Sequence, residues 1–146
     1  MNQAINDFIN GKRIAVVGVS RNVKKFGNTI YTELKQRGYR VFAVNPTINE
    51  IAGDPCYPNL KALQGKIDGV LVCVPSSKGE TVLREAAELG LHNVWLQQGA
   101  DSPKLIKLGS ELGLNMVSRK CILMYAPPVR SFHNFHRAIA KLFGQL

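Results

Sequence analysis

Two rhythms alternate along the apolar positions of this chain. Short continuous runs, rich in β-branched residues, occupy 14–17, 40–45, 69–74, 93–97 and 114–118. Runs of that length and composition suit strands buried on both faces of a parallel sheet. Between them apolar residues recur every three or four positions, the spacing of one helix face. Residues 4–10 predict a short helix burying Ile5, Phe8 and Ile9 and ending at Gly11. A second helix over 27–37 carries Ile30 and Leu34 in line with Phe26, and Gly38 stops it. A third starts from Ser76 or Ser77 as cap, with Glu80 in its first turn. It buries Val82, Leu83, Ala86, Ala87 and Leu89, and Gly90 ends it. A fourth starts from Asp101 or Ser102 with Pro103 at its first position, and buries Leu105, Leu108 and Leu112. Residues 47–60 hold Gly53, Pro55 and Pro58 and read as an irregular connection leading to a short helix through Leu63. Residues 121–125 predict a sixth, short strand, and Phe132, Phe135, Ile139, Leu142 and Phe143 mark one face of a closing helix.

Strands alternating with helices at intervals of roughly 25 residues are the pattern of successive βαβ units. The expected architecture is α/β: a single doubly wound domain over residues 1–146, with a mainly parallel sheet of five to six strands. Right-handed crossovers place helices on both sheet faces. Ligands in such sheets bind outside the carboxyl ends of the strands, near the topological switch point.

Composition narrows the class of protein. The 146 residues are 45% hydrophobic and 20% charged, as in ordinary globular chains. No apolar run approaches a membrane span, and the first residues lack the pattern of a secretory signal. The three cysteines, Cys56, Cys73 and Cys121, are dispersed and form no C-x-x-C, which argues against zinc and disulfides and for a reducing cytoplasm. The net charge of +9 points to an anionic partner, although the cations are scattered and form no basic tail. With aromatic residues at 8%, mostly at core positions, no stacking platform for nucleic acid is evident.

The first strand and the loop after it carry the most chemistry. The strand ends at Gly18, and Val19, Ser20 and Arg21 lead through Lys24 and Lys25 to the next helix. A strand, a glycine turn and a helix N-terminus cradle phosphate, because unpaired N–H groups and the helix dipole face outward. Gly18 permits close backbone approach, Ser20 adds a hydroxyl, and Arg21, Lys24 and Lys25 add positive charge. The full G-x-G-x-x-G fingerprint is absent, since only Gly18 and Gly27 stand at its outer positions. The loop alone fits either a phosphate site or an ordinary strand-to-helix turn.

The other strand ends sharpen the choice. A domain that binds NAD usually has Asp or Glu at the end of strand two, to bond the ribose hydroxyl. Here Asn45 and Pro46 stand there. Asparagine does not repel a phosphorylated ribose, and the proline ring offers an apolar face; the pair also serves as a simple turn starter. Strand three ends in Val74 and Pro75, and strand four in Gln97, Gln98 and Gly99. Taken in order and spacing, Gly18-Val19-Ser20, Val44-Asn45-Pro46, Val74-Pro75 and Gln97-Gln98-Gly99-Ala100 resemble the stand-alone CoA-binding domain family, which is similar to the CoA-binding domain of the succinyl-CoA synthetase α subunit. The likeness covers roughly residues 10–122.

That resemblance implies a Rossmann-like domain binding coenzyme A. It assigns phosphate contacts to Gly18, Val19, Ser20 and Arg21, the border of the adenine nucleotide to Asn45 and Pro46, and packing along the ligand to Val74 and Pro75. Lys25 joins the phosphate group by its place in the loop. CoA carries roughly −4 near neutral pH, which the loop cations suit. The chain lacks the central loop glycines of the synthetase, and it contains no domain that would supply the synthetase's phosphorylated histidine.

Little points to catalysis. His92 falls in a turn. His133 and His136, three apart on the closing helix, have no carboxylate partner in the sequence pattern, and Arg130 and Arg137 flank them against a cation. Cys121 follows Arg119 and Lys120, so either a lowered thiol pKa or plain burial fits it; Cys73 and Trp95 read as core. The expectation is a non-catalytic cytoplasmic protein that binds CoA or acyl-CoA, with no membrane association. The alternatives are an NAD(P)-binding oxidoreductase-like domain and a subunit of a CoA ligase. Nucleic-acid binding through the positive charge is the weakest of these readings.

Overall fold

The centre of the molecule is built from the three most apolar runs. In the computed structural model, which describes residues 3–22 and 24–127, β1 (Arg13–Val17), β5 (Gly69–Val72) and β6 (Asn93–Gln97) lie side by side and parallel. Around them are β2 (Arg40–Val44), β3 (Glu50–Ile51), β4 (Asp54–Tyr57) and β7 (Asn115–Lys120), with the order β3-β4-β2-β1-β5-β6-β7. Every pairing is parallel except β3 with β4.

Side-chain alternation along β1 decides which helix covers which face. Ile14 and Val16 pack with Ile5 and Phe8 of α1 (Gln3–Asn10) and with Ile30 and Leu34 of α2 (Phe26–Gln36). Ala15 and Val17 pack on the other side with Leu83 and Ala86 of α3 (Ser76–Glu88) and Leu105 and Leu108 of α4 (Pro103–Glu111). Trp95 is fully buried on the first face, edge-on to Phe8 with ring centroids 5.4 Å apart, and its indole N–H donates to the Lys120 carbonyl. The fold is the expected Rossmann-like α/β sheet with helices on both faces. None of the described helices is long and apolar enough to cross a membrane.

Several details differ from the sequence expectations. The sheet has seven strands, not five or six, because the supposed irregular connection holds the β3–β4 hairpin. Ala52 and Gly53 form its two-residue turn, both with positive φ (50° and 85°), the geometry whose twist matches a hairpin. Residues 121–125 form no strand. A 3-10 turn occupies Ile122–Met124, where the Ile122 N–H donates to the Gln97 side-chain oxygen. β5 stops at Val72, and Pro75 rather than a serine stands before α3, whose start has no side-chain cap. Ser102 does cap α4, accepting from the Leu105 N–H at 3.2 Å, with Pro103 next to it. The closing helix, with His133 and His136, lies outside the described residues.

Candidate functional site

β1 connects to β2 on one side and β5 connects to β6 on the other, so the strand order reverses between β1 and β5. Their carboxyl ends are Val17 and Val72, which are register partners. Immediately beyond them, Gly18 (φ 125°) rests on Cys73: a Cβ at Gly18 would lie 2.7 Å from the Cys73 carbonyl carbon. Gly27, in the first turn of α2, rests in turn on Gly18, whose carbonyl oxygen would be 2.4 Å from an added Cβ. Both glycines are required because backbone packs on backbone here. The outer glycines of the incomplete fingerprint therefore hold the geometric places expected of them.

The loop above this floor is fixed by two asparagine amides. Asn28 is 6% exposed; its Oδ1 accepts the Ser20 N–H at 2.7 Å and its Nδ2 donates to the Ser20 carbonyl at 2.8 Å. Asn45, just past β2, donates through Nδ2 to the Val19 carbonyl at 2.8 Å, while its Oδ1 accepts from the Thr47 N–H and hydroxyl. The Ser20 hydroxyl oxygen accepts from the Asn22 N–H, and Arg21 reaches across to the Thr47 carbonyl at 3.2 Å. Among the described residues, no protein acceptor meets the backbone N–H of Val19 or Arg21. Lys25 occupies the position before α2 without a side-chain cap. Arg21, Lys24 and Lys25 are exposed and make no ion pair among the described residues, whereas Arg13, Lys35 and Arg84 are each paired to a carboxylate.

The structure thus gathers Gly18, Val19, Ser20, Arg21, Asn45 and Pro46 at one edge of the sheet, with Val74 and Pro75 beside Cys73 at the end of β5. Their exposed groups differ in kind. Val19 buries its side chain in the core and offers only backbone. Asn45 turns its amide inward on the loop. Pro46 and Pro75 are exposed, and Val74 is half-buried against the α3 side of the core. The expected site residues do not include Asn28. A signal for it exists in the sequence: a polar residue three positions before Tyr31 on the buried face of α2 needs a buried partner.

Two other features of this edge do not extend the chemistry. Cys121 is 3% exposed, and burial raises its thiol pKa despite the opposing influence of the Gln97 side chain. Cys73 is pushed up likewise, by burial first and by Cys121 second. Of the two readings open for Cys121, a lowered thiol pKa or plain burial, the structure supports plain burial. Between the starts of α3 and α4, a depression of about 210 Å³ is lined by Ser76, Ser77, Ser102 and Glu80. Glu80, bound to Arg84 and Lys104, places a carboxylate in it. Among the described residues no His, Cys, Asp and Glu side chains converge as metal ligands.

Comparison with known proteins bears on the family and the fold. The family model described as CoA binding domain matches residues 12–127. A conserved hypothetical protein from Pyrococcus furiosus superposes with a TM-score of 0.73 at 35% identity, covering 76% of this chain and 96% of that one. The uncharacterized protein YneT of Bacillus subtilis is 32% identical over 111 residues, 76% of this chain and 82% of its own length. The alpha subunit of an ADP-forming acetate–CoA ligase from Pyrococcus furiosus is 27% identical over 126 residues, and this chain spans only 28% of that subunit. The matched span runs from just before β1 to just past the turn after β7, taking in every strand and the loop that Asn28 and Asn45 hold, and on that ground the chain belongs to the CoA binding domain family.

Proposed function

We propose that this protein binds coenzyme A or an acyl-CoA at the carboxyl edge between β1 and β5, as a single non-catalytic binding unit. The observation that carries this reading is the strand-one loop. It is held from beneath by Asn28 and Asn45 and, among the described residues, leaves the Val19 and Arg21 N–H groups without protein acceptors and carries three cations without carboxylate partners. Preorganised N–H groups and unpaired cations at a switch point suit a diphosphate. In this reading Gly18, Val19, Ser20, Arg21 and Lys25 face the phosphates, Val19 through its backbone alone. Pro46 borders the adenosine, Asn45 holds the loop from below, and Val74 and Pro75 lie along the pantetheine arm.

Titration calorimetry with CoA, acetyl-CoA, NAD and NADP tests the reading. Saturable binding of CoA and acetyl-CoA, with little heat from NAD, is the expected result. Binding of NADP without CoA would overturn it in favour of an oxidoreductase-like domain. The similarity to part of a ligase subunit supports a second reading, in which the chain supplies the CoA site of a ligase completed by another polypeptide. CoA binding together with acyl-CoA synthesis from acetate and ATP, seen only after a partner subunit is added, would favour that second reading.

A further inference from the structure

Of the three cations in the strand-one loop, Arg21 is tied to a second strand end. Its Nη2 donates to the carbonyl oxygen of Thr47, two residues beyond Asn45, at 3.2 Å. The guanidinium therefore bridges the loop after β1 and the loop after β2, at the exposed mouth of the crevice. A guanidinium has five N–H donors in one plane. One is committed to Thr47, which fixes the orientation of the plane and leaves the remaining donors available. Arginine in such a fork favours a phosphate over a neutral hydroxyl.

The surroundings match that preference. In doubly wound sheets the end of the second strand is where the nucleotide ribose lies; an acidic side chain there bonds a free hydroxyl, and an arginine nearby accommodates a ribose phosphate. Here the strand ends in Asn45, whose amide is engaged with Val19 and Thr47 and carries no charge. Of the two carboxylates on the adjoining hairpin, Asp54 is bound by Lys35 and the Tyr31 hydroxyl, and Glu50 is exposed on the edge strand β3. No acidic residue stands directly after β2, where Asn45, Pro46 and Thr47 follow Val44, and a cation held by the Thr47 carbonyl lies there instead.

Building on the CoA reading, we propose that Arg21 is the specificity-determining residue that recognises the phosphate on the ribose, so the site selects 3′-phosphorylated CoA over its dephospho form. Arg21 thereby separates recognition of the ribose phosphate from recognition of the diphosphate, which falls to the loop backbone and Lys25.

The test is calorimetric titration of CoA and 3′-dephospho-CoA into the wild type, Arg21→Ala, Arg21→Lys and, as a charge control on the outer side of α4, Lys107→Ala. The wild type and Lys107→Ala should bind CoA about tenfold more tightly than dephospho-CoA, the scale of one charge-assisted contact. Arg21→Ala should bring that ratio to about twofold or less, with dephospho-CoA affinity held within about twofold. Arg21→Lys keeps the charge without the fork and should give an intermediate ratio; it also supplies the comparison if the alanine variant melts early. An equal loss of both ligands in Arg21→Ala, or an unchanged ratio, would overturn the proposal while leaving CoA binding intact. Failure of the wild type to bind either ligand would instead overturn the CoA reading.

Discussion

Asn28 holds Ser20 by both of its backbone groups, accepting the N–H at 2.7 Å and donating to the carbonyl at 2.8 Å. An α-helix side chain is here the partner that a strand would otherwise supply to an irregular loop. Removing it leaves two partly buried polar groups unpaired. Asn28→Ala should cost about 1–3 kcal/mol in a urea titration. It should also speed hydrogen exchange at the Ser20 amide by more than the global loss of stability accounts for. Exchange that changes only in proportion to global stability would show that the clamp does not set the loop's conformation.

Gly27 and Gly109 make opposite predictions from similar crowding. A Cβ at Gly109 would come nearer to its neighbour, 1.9 Å from the Met116 Sδ, than one at Gly27, 2.4 Å from the Gly18 carbonyl oxygen. The methionine is a flexible, half-exposed side chain that can rotate away, and alanine favours the interior of α4 by up to about 1 kcal/mol. The carbonyl belongs to the crevice floor and cannot. Gly109→Ala should therefore stay within about 1 kcal/mol of the wild type. Gly27→Ala should lose about 2–3 kcal/mol and CoA binding with it. Thermal melts and titrations of the two variants decide the order.

Acid should weaken the fold through Asp68. Arg13 bonds this carboxylate through Nη2 at 2.8 Å and through its own backbone N–H at 3.1 Å, and together these hold the Asp68 pKa below its ordinary value. A pKa lowered on folding contributes stability above the unfolded value and loses it as pH falls through the folded one. The urea midpoint of the wild type should decline below about pH 4, and Asp68→Asn should show a flatter acid limb with a lower neutral plateau. Parallel curves for the two chains would assign the acid loss elsewhere, with Asp54 next in line because Lys35 and Tyr31 lower its pKa in the same way.

The three cysteines should be inert in the folded protein. Burial raises the thiol pKa of Cys56, Cys73 and Cys121 alike. At pH 7.5 iodoacetamide should label them far more slowly than free cysteine and reach completion only in denaturant. Rapid native labelling of Cys121, identified by mass spectrometry, would favour the other reading of that residue, a thiol with a lowered pKa.

The central strands were legible because each is apolar on both faces, and the helices because one stripe of each is apolar; those patterns survive any tertiary context. The β3–β4 hairpin was not legible. β3 has two residues, too few for a period, and Pro55 in β4 reads as a breaker although it sits in the strand next to the sheet's edge. The strand expected at 121–125 failed for a tertiary reason: the Gln97 side chain takes the Ile122 N–H that a ladder would have used. At the site, glycine spacing disclosed the floor, because steric need is written in residue type. The inward turn of Asn45 onto Val19 was hidden, because a side chain bonding backbone 26 residues away leaves no local pattern; Asn28 left half a signal, a polar residue on the buried face of α2 whose partner the sequence does not name.

The floor of the crevice is main chain resting on main chain: Gly18 on Cys73, and Gly27 on Gly18. Nothing in that stack depends on the identity of the side chains hanging over it. Arg21, Lys24, Lys25 and Pro46 are all exposed, and none belongs to either apolar core. Exchanging them can therefore change the charge and shape that the crevice mouth presents while the fold stays as it is.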